Sequence, residues 1–288
     1  RLPFTYLIYR LFVKKFMRIY PMLILTLVLT IFIGAAFTTL SLKEYFSDPL
    51  VYKYFIDNVL NIFNAHELPG VFKDHNITGL NGVLWYVTFI VRIYFVGGIF
   101  SWLGLFDTKE RMNQVLLILL TCVSVAPNAV PLLGENTLLY GNMDFPQYTI
   151  TIIIAGLIYN NFPEIRVRWQ VLILLFVICM LQKDFTYGNT IGLWAVLAVA
   201  SAVWIGCLPM TKKIKVTDIS FEIFLFGWPT SQIVCELCPS LSPIGNTVIT
   251  ILVTTVIGIG LKYTIGKLLD KATKNILMKI EKYGVKNI

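Results

Sequence analysis

The chain is predicted to be all-α, a polytopic bundle of membrane-spanning helices, and three observations predict it. Hydrophobic residues fill 57% of the 288 positions and charged residues only 14%, where a soluble domain carries about 25% charged residues. Apolar runs of helix length recur from end to end. The basic residues gather in alternate connections between those runs, the pattern that orients a multispan protein. The net charge of +8 is therefore read as topology, and nucleic acid is not an expected partner.

A helix crossing a bilayer needs ~20 apolar residues, within a range of about 17–25. Eight segments are predicted to cross: 19–40, 83–104, 115–131, 145–162, 169–182, 190–208, 219–235 and 245–265. The fifth is the shortest. Pro127 and Pro229 lie inside spans, so each predicts a kink whose freed carbonyl must find a partner within the bundle. Residues 1–265 form the transmembrane domain, and 266–288 a basic, helical cytoplasmic tail that caps the bundle and touches anionic lipid.

Charge tests this arrangement. Eight spans put both termini on one side. Nineteen of the 24 Lys and Arg fall there, including Arg10, Lys14, Lys15, Arg18, Lys109, Arg111, Arg166, Arg168, Lys212, Lys213 and the tail lysines. Only Lys43, Lys53, Lys73 and Lys183 fall on the other, and Arg92 lies within a span. The basic side is accordingly expected to be cytoplasmic.

The longest connection, about 41–82, is expected outside. Its middle, 51–63, has an amphipathic helical pattern suited to the membrane surface. Asn76-Ile77-Thr78 forms a glycosylation sequon. His66 and His75, the only histidines, fall in this connection, either as solvated side chains or as groups at an outer acceptor site. Of five cysteines, Cys122, Cys179 and Cys207 sit in apolar runs. Cys235 and Cys238 form C-E-L-C, which lacks the second ligand pair of a zinc site; a disulfide between them on the outer face stays open. No metal site is expected.

Soluble-enzyme motifs are missing, including phosphate loops and nucleophile elbows. The sharpest feature is Arg92 in "NGVLWYVTFIVRIYF". Holding a guanidinium inside a bilayer costs ~3 kcal/mol or more. Trp85, Thr88, Phe89 and Arg92 share one helical face, spaced i, i+3, i+4 and i+7, and that face is predicted to look into the bundle. Arg92 lies ~12 Å below Leu84 on a rise of 1.5 Å per residue, close to the midplane. Three partners would satisfy it: Glu222, the acidic residue within a span; backbone carbonyls and water; or an anionic ligand entering from the cytoplasm. In "KKFMRIYP", Lys15 and Arg18 are spaced so that both can face one phosphate, although such residues also serve as plain topology anchors.

Four stretches together resemble the acyltransferase 3 family of bacterial membrane proteins. They are "FVKKFMRIYPMLI", "ELPGVFKDHNITGLNGVLWYVTFIVRIYF", "GNMDFPQYTITIIIAGLIYNN" and "DISFEIFLFGWPTSQ". The resemblance implies ten helices and an O-acyltransferase of the bacterial cytoplasmic membrane. Such an enzyme moves an acyl group, usually acetyl, from cytoplasmic acyl-CoA to a hydroxyl of an extracytoplasmic glycan such as lipopolysaccharide or another polysaccharide. It implies a donor substrate, not a bound cofactor. By motif match Lys15 and Arg18, with Arg92, would meet the donor. Trp85, Thr88, Tyr94 and Glu222 would line the cavity. Asp218, Ser220, Gly227 and Pro229 match the late motif.

The chain departs from the family pattern in three ways. Lys15 replaces an arginine, keeping charge but losing the bidentate fork. Ile90 stands where the family has a glutamate. The two leading helices, the first with a histidine thought to act as base, do not precede the first span and are expected upstream; the catalytic residue is therefore unassigned. The rival readings are a transporter or flippase of lipid-linked sugars and an inactive relative with a structural role.

Overall fold

The computed structural model describes residues 4–60, 66–73, 75, 78–133, 145–162, 167–181, 190–211 and 217–286. The sequon residues Asn76 and Ile77, the basic residues Arg166, Lys183, Lys212, Lys213 and Lys215, and the side chain of Pro127 lie outside the described residues. Regular structure among the described residues is helical: α1 (Phe4–Phe37), α2 (Leu42–Ser47), α3 (Pro49–Leu60), α4 (Leu84–Trp102), α5 (Lys109–Leu133), α6 (Phe145–Asn160), α7 (Trp169–Leu181), α8 (Thr190–Gly206), α9 (Ser220–Leu237), α10 (Pro243–Leu261) and α11 (Lys267–Lys286). A π-helical turn, Lys262–Gly266, makes α10 and α11 continuous.

Helices occupy all eight predicted positions, yet length and composition separate them. Among the described residues three are long and apolar enough to cross a membrane: Val13–Phe37, Leu84–Trp102 and Pro243–Lys279. Tyr148–Asn160, Trp169–Leu181 and Val196–Gly206 are apolar but shorter. α9 is diluted by Glu222, Thr230, Ser231, Gln232 and Glu236. Spans were predicted from apolar content alone, which does not fix where a helix starts.

The chain divides into two compact units, Arg1–Trp102 with Thr217–Ile288, and Leu103–Val216. In the second, an asparagine cluster joins α5 to α6. Asn113 Nδ2 donates to Asn161 Oδ1 at 2.9 Å, and Asn160 Nδ2 donates to Asn113 Oδ1 at 2.8 Å and to the Lys109 carbonyl at 3.0 Å. α8 packs on both α6 and α7.

In the first unit α1 is the central element. Leu23 and Leu27 are fully buried on it, and the buried Thr26 and Thr30 hydroxyls donate to carbonyls one turn back, Met22 at 2.8 Å and Thr26 at 2.7 Å, so the helix satisfies its own polar groups. Ser41 and Glu44 form a reciprocal capping box that starts α2. The Tyr45 hydroxyl then donates to the Ile31 carbonyl at 2.9 Å. This contact depends on Gly34, where a Cβ would lie 2.5 Å from that hydroxyl. The helix predicted within 51–63 forms as α3 and buries Val51, Tyr54 and Asn58 against the first unit's core.

Part of the rest of the long connection packs against α9. His75, Gly79, Asn81 and Gly82 lie in antiparallel order along one face of α9, whereas Leu68, Gly70 and Val71 pack against the end of α1 and the turn after it. His75 meets Gln232 and Glu236, the Gly79 carbonyl accepts from Trp228 Nε1 at 3.0 Å, and Asn81 Nδ2 donates to the Leu225 carbonyl at 3.2 Å. Residues 225, 228, 232 and 236 share a helical face, and they span ~16 Å of helix. Gly82 lets the Trp228 ring close in, since a Cβ there would be 2.8 Å from it. These contacts give polar groups of an irregular segment partners within the protein. Asn81 has a second task here. Pro229 has no amide hydrogen, which leaves the Leu225 carbonyl without its helical donor, and Asn81, fully buried, supplies one. The kink partner expected for Pro229 is thus Asn81.

Candidate functional site

The 16 residues from Glu236 back to Ser220 descend ~24 Å along α9, and the candidate site lies at the Ser220 end. Asp218 opens it: its Oδ1 accepts from the Ser220 hydroxyl at 2.7 Å and from the Ser220 amide at 3.2 Å, fixing the first turn of α9. Its Oδ2 accepts from Arg18 of α1 at 2.6 Å. The Ser220 hydroxyl first, and with it the Ser220 amide and the Arg18 guanidinium, hold the Asp218 carboxyl below its ordinary value, against a burial effect of opposite sign. The side chains of Arg18 and Asp218 are 53% and 57% exposed. A pair that open is worth only ~0–1 kcal/mol, so a phosphate could take the guanidinium at little cost.

Two cavities meet at Arg18 and Phe221. One, about 340 Å³, is bounded by Lys15, Arg18 and Ile19 of α1, by Tyr86, Val87, Ile90 and Tyr94 of α4, and by Ser220, Phe221 and Phe224 of α9. Its interior is aromatic and aliphatic, with cations at one edge. The Lys15 ammonium lies 4.8 Å from the centre of the Tyr94 ring, a cation–π contact that aims the lysine toward α4. The other, about 240 Å³, is bounded by α1, the start of α9, the π-helical turn and α11, and is lined by charge: Lys14, Arg18 and Lys262 against Asp218, Glu222 and Asp270. Lys262 Nζ is 3.4 Å from Asp270.

Of the predicted site residues, Lys15, Arg18, Tyr94 and Glu222 line these cavities, as do Ile90 and the motif residues Asp218 and Ser220. Trp85, Thr88 and Arg92 line neither. Thr88 is buried, Trp85 half-buried, and Pro229 buried within α9. Arg92 does not look into the bundle as expected. It is exposed on α4, and it lies in the turn between Ile90 and Tyr94, level with Lys15, Arg18 and Ser220. The physical reason is the connection before it. His75, Gly79 and Asn81 step along α9 before α4 begins, so Leu84 starts near the level of Leu225, and the next eight residues carry Arg92 to the basic end of α1. No ion pair joins Arg92 to Glu222 among the described residues, and the buried Glu222 carboxylate has no hydrogen-bond partner among them.

The far end of α9 holds features that sequence reasoning treated as solvated. His75 Nε2 is 2.8 Å from Glu236 Oε2 and its Nδ1 2.8 Å from Gln232 Oε1, with the ring stacked at 4.7 Å on Phe72. Phe72 holds this place with φ of 47°, a conformation that costs a non-glycine residue energy. His75 therefore fastens the connection to α9 with both ring nitrogens engaged. His66 is half-buried, and its Nδ1 is buried without a hydrogen-bond partner among the described residues. Cys235 and Cys238 carry free thiols, and Cys235 Sγ accepts from Asn246 Nδ2 at 2.9 Å.

The sequence offered no signal for Lys262, Asp270 and the π-helical turn, because the tail reads as a plain amphipathic helix. Among the described residues no group of three or more His, Cys, Asp or Glu side chains could hold a metal ion. No family model, no curated protein and no solved structure matches this chain.

Proposed function

We propose that the chain is an integral membrane O-acyltransferase, or the donor-binding part of one, that accepts an acyl group, most simply acetyl, from acyl-CoA at its basic face for delivery to a hydroxyl of an extracytoplasmic glycan. In this reading all eight predicted segments are membrane-embedded, the basic face and both ends of the chain are cytoplasmic, and the membrane is the bacterial inner membrane. One observation carries the proposal: three stretches that resemble acyltransferase 3 motifs, widely separated in sequence, contribute Lys15 and Arg18, Ile90 and Tyr94, and Ser220 to a single cavity. At about 340 Å³ it sits at the low end of the ~300–1,000 Å³ typical of small-molecule sites. That size suits the thioester end of the donor, with its phosphates at the Lys15 and Arg18 edge. Arg18 supplies a fork for phosphate oxygens, and Lys15 a point charge.

The test is CoA binding to the purified chain in detergent. A charge-assisted contact is worth roughly 1.5–3 kcal/mol, so Arg18→Ala should weaken binding about 10- to 100-fold with an unchanged melting temperature. Unchanged affinity would reduce Arg18 to a topology anchor and remove the donor site. Transfer of label from acetyl-CoA to glycan in membranes separates an acyltransferase from a flippase.

A further inference from the structure

The charged cavity adjoins the one assigned to the donor, sharing Arg18 and Phe221 with it, and its lining includes a carboxylate with no partner among the described residues. Glu222 is 8% exposed, lines the cavity, and makes no hydrogen bond or ion pair among the described residues. Its oxygens are not among the sealed, unpaired side-chain atoms of the described residues, so they stay open to a hydrogen-bond donor entering the cavity. The other charges each have an opposite charge in reach, in loose and exposed pairs: Arg18 with Asp218 at 2.6 Å and Lys262 with Asp270 at 3.4 Å. What remains is Glu222, the enclosed charge, and Lys14, an exposed one.

That residue of charge defines the ligand. A free anion would answer Lys14 but add repulsion at Glu222. A metal cation would answer Glu222 but meet Lys14, Arg18 and Lys262. Only a group carrying both signs, anion outward and N–H-donating cation inward, satisfies both ends. The cavity's position selects its source. Lys262 directly follows α10, whose apolar residues Ile251, Leu252, Val256 and Ile259 are exposed, and Lys14 and Arg18 lie at the basic end of the apolar stretch Val13–Phe37. The opening is thus where apolar helix surface gives way to charge, the level of lipid headgroups.

We infer that this cavity binds the headgroup of a zwitterionic phospholipid with a primary ammonium, of the phosphoethanolamine type. The ammonium donates to Glu222, and the phosphodiester faces Lys14. Choline cannot replace it, because its quaternary nitrogen has no hydrogen to donate.

The experiment uses the full chain, purified in mild detergent and equilibrated with equimolar phosphatidylethanolamine and phosphatidylcholine of identical acyl chains. Retained lipid is counted by native mass spectrometry. Ethanolamine lipid should be retained about 10-fold over choline lipid, in line with one charge-assisted hydrogen bond, and mono- and dimethylated headgroups should fall in steps between them. Glu222→Gln should abolish the preference. Equal retention of the two lipids by the unaltered protein would overturn the assignment, and this arm needs no variant to fold. An undiminished preference in a folded Glu222→Gln protein would overturn the role of that carboxylate. If soluble phosphoethanolamine displaces the lipid as effectively as lipid itself, the ligand is a free zwitterion and the lipid assignment falls. CoA binding is read separately through Arg18→Ala, so failure here and failure of the donor site are distinguishable.

Discussion

Replacing Asn81 with alanine should destabilise the first unit by an amount that depends on what stands at position 229. Asn81 is fully buried and gives its Nδ2 hydrogen to the Leu225 carbonyl at 3.2 Å. Pro229, four residues on, is why that carbonyl needs an outside donor. With proline in place, Asn81→Ala strands a buried acceptor, worth roughly 1–3 kcal/mol. Pro229→Ala restores an amide that bonds the same carbonyl within the helix, so Asn81→Ala made in that background should cost only its lost packing. The four proteins form a double-mutant cycle with an expected coupling of at least about 1 kcal/mol. Reversible unfolding of the purified chain in mixed micelles, followed by circular dichroism, reads it. Additivity within about 0.5 kcal/mol would mean that Asn81 does not compensate for the proline, and the account of residues 66–83 along α9 would lose its central contact.

Gly34→Val should cost about 1–3 kcal/mol through overpacking, since its Cβ falls 2.5 Å from the Tyr45 hydroxyl and 2.9 Å from Leu68 Cδ1; the same unfolding assay checks it. Asp218 supplies a pH dependence. Its folded pKa lies below the ordinary 3.8, so its contribution is complete above that value and fades as pH falls through the depressed folded pKa. Melting temperatures of the unaltered protein should decline through that acid window more than those of Asp218→Asn. If the basic face is cytoplasmic, a thiol reagent that cannot cross membranes should label Ser47→Cys in intact cells and label Lys279→Cys only after permeabilisation. Both positions are exposed, so the reverse pattern would invert the proposed topology.

Apolar run length located the helices well. α3 followed from its amphipathic spacing, and Pro229 announced the need for a carbonyl partner before Asn81 was seen to be it. Lys15, Arg18 and Ser220 were legible as a group through motif resemblance, not through any periodicity linking them. The depth of residues 66–83 was not legible. A segment rich in glycine, asparagine and histidine has the composition of a surface connection, and only its pairing with α9 shows otherwise. The exposure of Arg92 was not legible either, because i, i+3, i+4 spacing marks a shared face without saying what covers it. Glu222 was correctly singled out as a buried acid near the start of its helix, but its neighbours come from the tail, which no pattern in the sequence tied to it.

The strap of residues 66–83 also has a consequence in time. Its partners on α9 lie 144 to 161 residues later in the chain. Synthesis at about 5–20 residues per second leaves a gap of roughly 7–30 s between the emergence of Asn81, Gly79 and His75 and the emergence of the helix that receives them. During that interval His75, Gly79 and Asn81 have no α9 to bond. The contacts that set the start of α4 beside α9 can form only once α9 has been made. The last third of the chain therefore sets when the first third acquires its final depth.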